Sequence, residues 1–219
     1  MGVIIEMLGA PGAGKTTMIG AVEDGCRDAG RTPFTIERAA RRFAARTLPG
    51  RLASRVVPDR FDRRAQWAVY RLVSGWHTVR FAVVHRRLAL YLLHSQRGRP
   101  AAADARGRRV VYWYLRMMGS YGFLRSNAAP DEVIVIDEGF VHRAVQLHAS
   151  AVESPTASQI AEYVAVLPRP DLVVHVCASS AACWRRVQAR GAWARLSHRS
   201  PADIERFVQH AHSTVTLLR

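Results

Sequence analysis

A chain of 219 residues with 49% hydrophobic residues has the apolar material for a packed core, which excludes a disordered polypeptide. Its formal charge of +15 favours anionic partners (nucleotides, phosphorylated substrates, nucleic acid or an anionic membrane surface) without choosing among them. Three cysteines, Cys26, Cys177 and Cys183, lack CxxC spacing and support neither a disulfide framework nor a zinc site.

Residues 3–8, VIIEML, form a short apolar run bounded by glycine, which predicts a buried strand. From Lys15 to about Ala29, Met18, Ile19, Val22 and Cys26 recur at helical spacing, and Gly30 is a helix stop. TPFTIER at 32–38 predicts a second strand. Strand, glycine loop, helix and strand make a βαβ unit, and hence a parallel sheet. Residues 38–125 predict helices, with VVYWYL compatible with strand or helix. Periodicity supports helix over 60–96, and 96–109 predicts a polar Gly/Pro/Ala-rich link.

FAVVHRRLALYLLH is the most apolar helical stretch, but Arg86 and Arg87 interrupt it, so no membrane span is expected. DEVIVIDEGF at 131–140 and RPDLVVHVCAS at 169–179 predict two more strands, with Cys177 as a buried small hydrophobe. A helix carrying AACWRRVQARGAWAR follows. A last helix starts at Ser200 as N-cap and Pro201 as first residue. No internal repeat is present. The N-terminus lacks the basic start of a signal peptide, and the expected compartment is the cytoplasm.

GAPGAGKT fits G-x-x-x-x-G-K-[ST] through Gly9, Gly14, Lys15 and Thr16, after a predicted strand and before a predicted helix. Backbone amides of Gly9, Ala10, Pro11 (which contributes none), Gly12, Ala13, Gly14, Lys15, Thr16 and Thr17 are placed to cradle a polyphosphate at a helix N-terminus. Lys15 is the sole lysine of the chain, whose 31 other basic residues are all arginine. The arginine bias reads as GC-rich coding drift. The one lysine sits where a compact ammonium reaches β- and γ-phosphates and a planar guanidinium fits poorly. Thr16 offers a hydroxyl to Mg²⁺, and Asp137, ending the third predicted strand, is the matching acid. Glu138 is a candidate to orient a nucleophile.

At these residues the chain resembles the thymidylate kinase and deoxynucleoside kinase branch of P-loop phosphotransferases. The likeness covers most of the chain by order of elements, while only short stretches match in sequence: GAPGAGKTT, and PDLVVHV before a helix with Arg185, Arg186, Arg190 and Gly191. The resemblance implies an α/β fold: one P-loop NTPase domain over 1–219, three-layer α/β/α, with a parallel sheet of four or five strands. It implies a helical acceptor-binding insertion at 38–125 between strands two and three, and a lid at 180–200. Lid arginines Arg186, Arg190 and Arg195 would clamp the transferring phosphoryl group. Glu37, just after the second strand, would contact the acceptor and serve as base. Arg42, Trp67 and Tyr70 would line the acceptor site. Where the family has Asp-Arg or Glu-Arg, this chain has Asp137-Glu138-Gly139, with Arg143 one helical turn on as a substitute, so an acceptor other than thymidylate is expected.

The expected activity is transfer of the γ-phosphoryl of ATP, with Mg²⁺, to a hydroxyl or phosphate of a small nucleoside-, nucleotide- or sugar-like acceptor. An ATPase or switch remains open, because VIVIDEG also resembles the hydrophobic strand ending in Asp-Glu of P-loop ATPases, where the second acid activates water. Nucleic-acid binding is a third option, motivated by charge alone, since the arginines are spread along the chain. The expected partners are a small acceptor and no membrane; whether the chain pairs into a homodimer is left open.

Overall fold

The computed structural model describes residues 2–56, 62–96, 101–150, 154–191 and 199–219. The first apolar run is β1 (Val3–Leu8), followed by a glycine-rich turn and α1 (Lys15–Asp28). β2 (Thr32–Thr35) leads into α2 (Ile36–Arg46), α3 (Leu48–Val56), α4 (Asp62–Val84), α5 (Arg86–Gln96) and α6 (Ala101–Asn127). Then come β3 (Glu132–Ile136), α7 (Phe140–His148), α8 (Ala157–Val166), β4 (Leu172–His175), α9 (Ser180–Arg190) and α10 (Pro201–Leu217). The architecture is α/β, with one parallel sheet of four strands among the described residues, in the order β2-β3-β1-β4. β2 and β3 pair in register, Thr32 with Glu132 through Thr35 with Val135.

Three sequence expectations are corrected. The second strand stops at Thr35 rather than running to 38. Thr35 is the extended residue before α2, whose Ala39, Ala40, Phe43 and Ala44 make a buried helical face that a strand would scatter. The expected link at 96–109 is helix from Ala101, as its alanine-rich composition permits. Cys177 is exposed, and it is Cys183 that is buried. β4 sits at the sheet edge beside β1, with Leu172 and Val173 exposed.

The contacts divide the chain into two compact units. The first, Met1–Ile5 with Glu23–Ile136, holds most of the helices. There α4 and α6 pack through aromatic rings: Tyr70 meets Phe123 at 5.4 Å and Phe81 meets Tyr121 at 5.9 Å, both edge-on. A side chain at Gly119 would meet the Ser74 carbonyl at 2.6 Å, so the helices cross closely there. Glu132, buried at the start of β3, takes a two-pronged ion pair from Arg46 at 2.8 and 3.2 Å.

The second unit, Glu6–Val22 with Asp137–Arg219, has its core where Leu8 meets Val141 and Val145 of α7 and Phe207, Ala211 and Val215 of α10. Tyr163 of α8 donates its hydroxyl to the Phe140 carbonyl at 2.7 Å, tying α8 to the start of α7. The last helix begins as its sequence predicts: Ser200 Oγ accepts from Asp203 N–H at 3.1 Å and Pro201 occupies the first turn.

Candidate functional site

β1 ends at Leu8, and the chain turns through residues 9–14 into α1. Gly12 and Gly14 hold φ of 83° and 104°, where a Cβ would be strained. A Cβ at Gly12 would also run into the Cys183 carbonyl of α9. The two alanines of the turn anchor it: Ala10 and Ala13 are buried with Cys183, Val187, Ile204 and Val208, so α9 and α10 support its underside. Arg186 of α9 adds two bonds, from Nη1 to Gly12 O at 3.2 Å and Ala13 O at 3.1 Å. A trans peptide points its N–H opposite to its C=O, so the Gly14 amide faces away from Arg186. Met18 N–H donates to Gly14 O at 3.1 Å, the first bond of α1. The amides of Lys15, Thr16 and Thr17 precede that bond and have no acceptor within the helix. Successive amides at a helix start form a site for an anion.

Lys15 Nζ is held across the turn by Gly9 O at 2.8 Å, with Ala10 O at 3.5 Å. Burial lowers its pKa, while the charges of Asp137 and Glu138 act to raise it. The positive charge of Arg190 adds a smaller lowering influence. Thr16 and Thr17 are exposed at the mouth of the turn.

Asp137 follows the last residue of β3, and its Oδ2 lies 3.5 Å from Thr16 Oγ1. Its Oδ1 is buried without a hydrogen-bond partner among the described residues. Burial raises its pKa, and the Lys15 ammonium is the main influence opposing the rise. A desolvated carboxylate oxygen with no donor, beside a hydroxyl oxygen, is a donor set that suits a hard cation such as Mg²⁺. Mg²⁺ takes one or two protein oxygens and completes its shell with water and phosphate.

Glu138 is exposed, and its Oε2 accepts from Gln146 Nε2 at 3.1 Å. Gln146 Oε1 in turn accepts from Arg143 Nη1 at 2.6 Å. Arg143 is therefore brought toward Glu138 through a glutamine one helical turn further along α7. The helical spacing of Arg143 and Gln146 was the available signal for this relay, and the sequence reading did not use it.

A second residue was missed. Glu6 lies in the middle of β1 with no exposed surface, and its Oε2 accepts from Val141 N–H at 2.8 Å. The N-cap of α7 is Gly139, which has no side chain to cap the helix, so a strand carboxylate supplies the acceptor instead. Glu6 thereby fixes the turn directly after Asp137 and Glu138. Burial pushes its pKa up to about 7 against the Val141 and Phe140 amides and Arg143, which pull it down. The signal in the sequence was one acid inside an apolar strand.

The second unit thus brings together Gly9–Thr17, Asp137, Glu138, Arg143, Arg186 and Arg190. Arg195 and most of the second half of the expected lid lie outside the described residues. Four expected acceptor-site residues belong to the first unit. Glu37 is exposed in the first turn of α2. Arg42 Nε pairs with Glu132 at 3.6 Å and its guanidinium stacks over Phe34. Trp67 meets Tyr70 edge-on at 5.4 Å. Tyr70 is buried, with its hydroxyl 2.6 Å from Ser120 Oγ. No family model matches this chain, and no curated protein matches it either.

Proposed function

We propose that the chain is a P-loop phosphotransferase with a three-layer α/β/α fold. It would bind ATP with Mg²⁺ at the turn 9–14 and pass the γ-phosphoryl group to a hydroxyl or phosphate of a small acceptor. The observation that carries this reading is the convergence of three features in one unit: the unpaired amides at the start of α1, the Lys15 ammonium beside them, and Thr16 facing Asp137 at 3.5 Å. Bound Mg²⁺ would offset phosphate charge and polarise the phosphoryl oxygens. Thr16 Oγ1 and Asp137 would hold it.

The chain's own residues do the rest. The Gly14 to Thr17 amides bind the phosphate oxygens and fix their orientation. Lys15 would exchange its bond to Gly9 O for the β- and γ-phosphates, where its charge opposes the negative charge of the transferring group. Arg186 holds the turn in shape through its two carbonyl bonds. Arg190, whose charge bears weakly on Lys15, is the lid arginine that would meet charge developing on the phosphoryl oxygens. By the resemblance, residues 38–125 would supply the acceptor-binding side chains.

A second reading has its own observation. Glu138 stands next to Asp137, exposed and held by Gln146, as a residue that orients a water molecule would be. That arrangement favours an ATPase or switch. Turnover of ATP with and without a panel of nucleosides, nucleotides and sugars separates the two. Acceptor-dependent turnover supports the kinase. Acceptor-independent hydrolysis that Glu138→Gln abolishes supports the ATPase, and no Mg²⁺-dependent turnover of either kind sinks both.

A further inference from the structure

Away from Trp67 and Tyr70, α4 in the first unit carries an exposed apolar surface. Along α4, Leu72, Trp76, Val79 and Val83 are 74%, 68%, 59% and 70% exposed. At roughly 100° per residue, these four fall within about 60° of one another on the helix. The opposite side of α4 holds buried Tyr70 and Phe81. The helix therefore has an inner apolar face that packs and an outer apolar ridge that faces water. Arg71 and Arg80 are exposed and lie roughly 110° and 70° to either side of the ridge's centre. After His85, α5 continues with exposed Arg86, Arg87, Leu90 and Leu93. The charge is one-sided: residues 63–130 contain 13 arginines and one acid, Asp104.

A contiguous apolar ridge in water is unfavourable, and it marks an interaction surface. Its occupant must accept both the apolar side chains and the positive charge. A second copy of the chain meets only the first condition, because it would set Arg71, Arg80, Arg86 and Arg87 against the same four residues. Nucleic acid meets only the second, because Leu and Val side chains gain nothing from phosphates. An anionic lipid surface meets both. Leu and Val enter the acyl boundary, Trp sits at headgroup level, and arginine stems lie along the apolar surface with their guanidinium groups at the lipid phosphates.

We propose that the chain docks peripherally on an anionic lipid surface through the outer ridge of α4 and the start of α5. Spanning is not involved: among the described residues no helix is long and apolar enough to cross a membrane. The proposal goes beyond the sequence reading, which expected no membrane partner. It does not rest on the phosphotransfer reading, and its test contains no nucleotide.

The test is co-sedimentation of the full chain with vesicles of phosphatidylcholine alone or with one third phosphatidylglycerol. Binding is expected only to the anionic vesicles, weakened by salt. Arg71→Ala with Arg80→Ala should reduce partitioning about tenfold or more. Trp76→Ser with Val79→Ser should do the same at unchanged net charge. Both pairs are on the surface, and a thermal melt checks that each variant folds. Val164→Ser, at an exposed apolar position of α8 in the other unit, should leave binding unchanged. Three outcomes overturn the proposal. One is no binding to anionic vesicles. Another is vesicle binding that Trp76→Ser with Val79→Ser leaves intact, which is charge attraction alone. The third is a stable dimer in sedimentation that the same pair dissolves.

Discussion

Thr16 Oγ1 and Asp137 Oδ2 lie 3.5 Å apart although 121 positions separate them in the chain. That spacing is long for a hydrogen bond between oxygens and short enough for both atoms to share a cation's coordination shell. The buried, undonated Oδ1 of the same carboxylate adds the second half of the argument. A carboxylate kept dry and short of donors is unfavourable on its own and is relieved by a positive ion.

Asp137→Asn should therefore separate function from stability. Burial raises the pKa of Asp137, so in the fold its carboxyl is harder to ionise than in the unfolded chain. Such a group withdraws stability as pH rises from its unfolded pKa through its folded one. Above that window the amide should leave the metal-free protein as stable as the parent or more so, while Mg²⁺-dependent nucleotide binding is lost. Thermal melts at neutral pH with and without Mg²⁺ and ATP measure both. An unchanged metal response would remove Asp137 from the proposed site.

Lys15→Ala should cut phosphoryl transfer at least about a hundredfold, in line with the loss of one preorganised charge at developing charge. The fold should survive, because the ammonium bonds only turn carbonyls and its burial opposes its charge. Circular dichroism alongside turnover checks this. A folded variant with undiminished turnover would contradict the role.

Arg186→Ala tests what the α9 arginine does. Its bonds go to the Gly12 and Ala13 carbonyls, so its loss should loosen the turn and raise the nucleotide Kd about tenfold. An arginine acting only on the transition state would instead lower kcat at constant Kd. Calorimetric titration beside steady-state kinetics distinguishes the two patterns, and the second would move Arg186 from positioning to chemistry.

Glu6→Gln addresses the strand carboxylate under α7. With a folded pKa of about 7 against an ordinary value of 4.5, Glu6 is protonated in the fold and ionised in the unfolded chain between those values. Its contribution to stability therefore falls as pH rises from about 4.5 to 7 and is flat beyond. Glutamine keeps an oxygen for the Val141 N–H and carries no charge. The variant should match the parent at pH below that window and exceed it above, by about 3 kcal/mol at most. Denaturant unfolding of both proteins across that range reads the difference. A gap that does not grow with pH would contradict the assignment.

The sequence reveals the strand–turn–helix at 3–28, the Asp137 strand and the Ser200–Pro201 helix start because each is set by local chemistry: β-branched runs, glycine angles and capping side chains. It hides the end of β2, because Ile-Glu-Arg after Thr35 suits either element until Phe43 finds its core. It also hides the exposure of Cys177, because LVVH reads the same at the edge of a sheet as at its centre, and only the order β2-β3-β1-β4 decides. The partners of Glu6 and Glu138 come from α7, a helix whose glycine start carries no capping side chain and so gave no local signal.

The most direct test of the account is a calorimetric titration of ATP into the parent, Thr16→Ala and Asp137→Asn proteins, each with Mg²⁺ and with a chelator. The account predicts saturable one-site binding to the parent that Mg²⁺ tightens, and loss of that Mg²⁺ enhancement in both variants. ATP binding that is indifferent to Mg²⁺ and to both substitutions, or no binding to the parent at all, would contradict it.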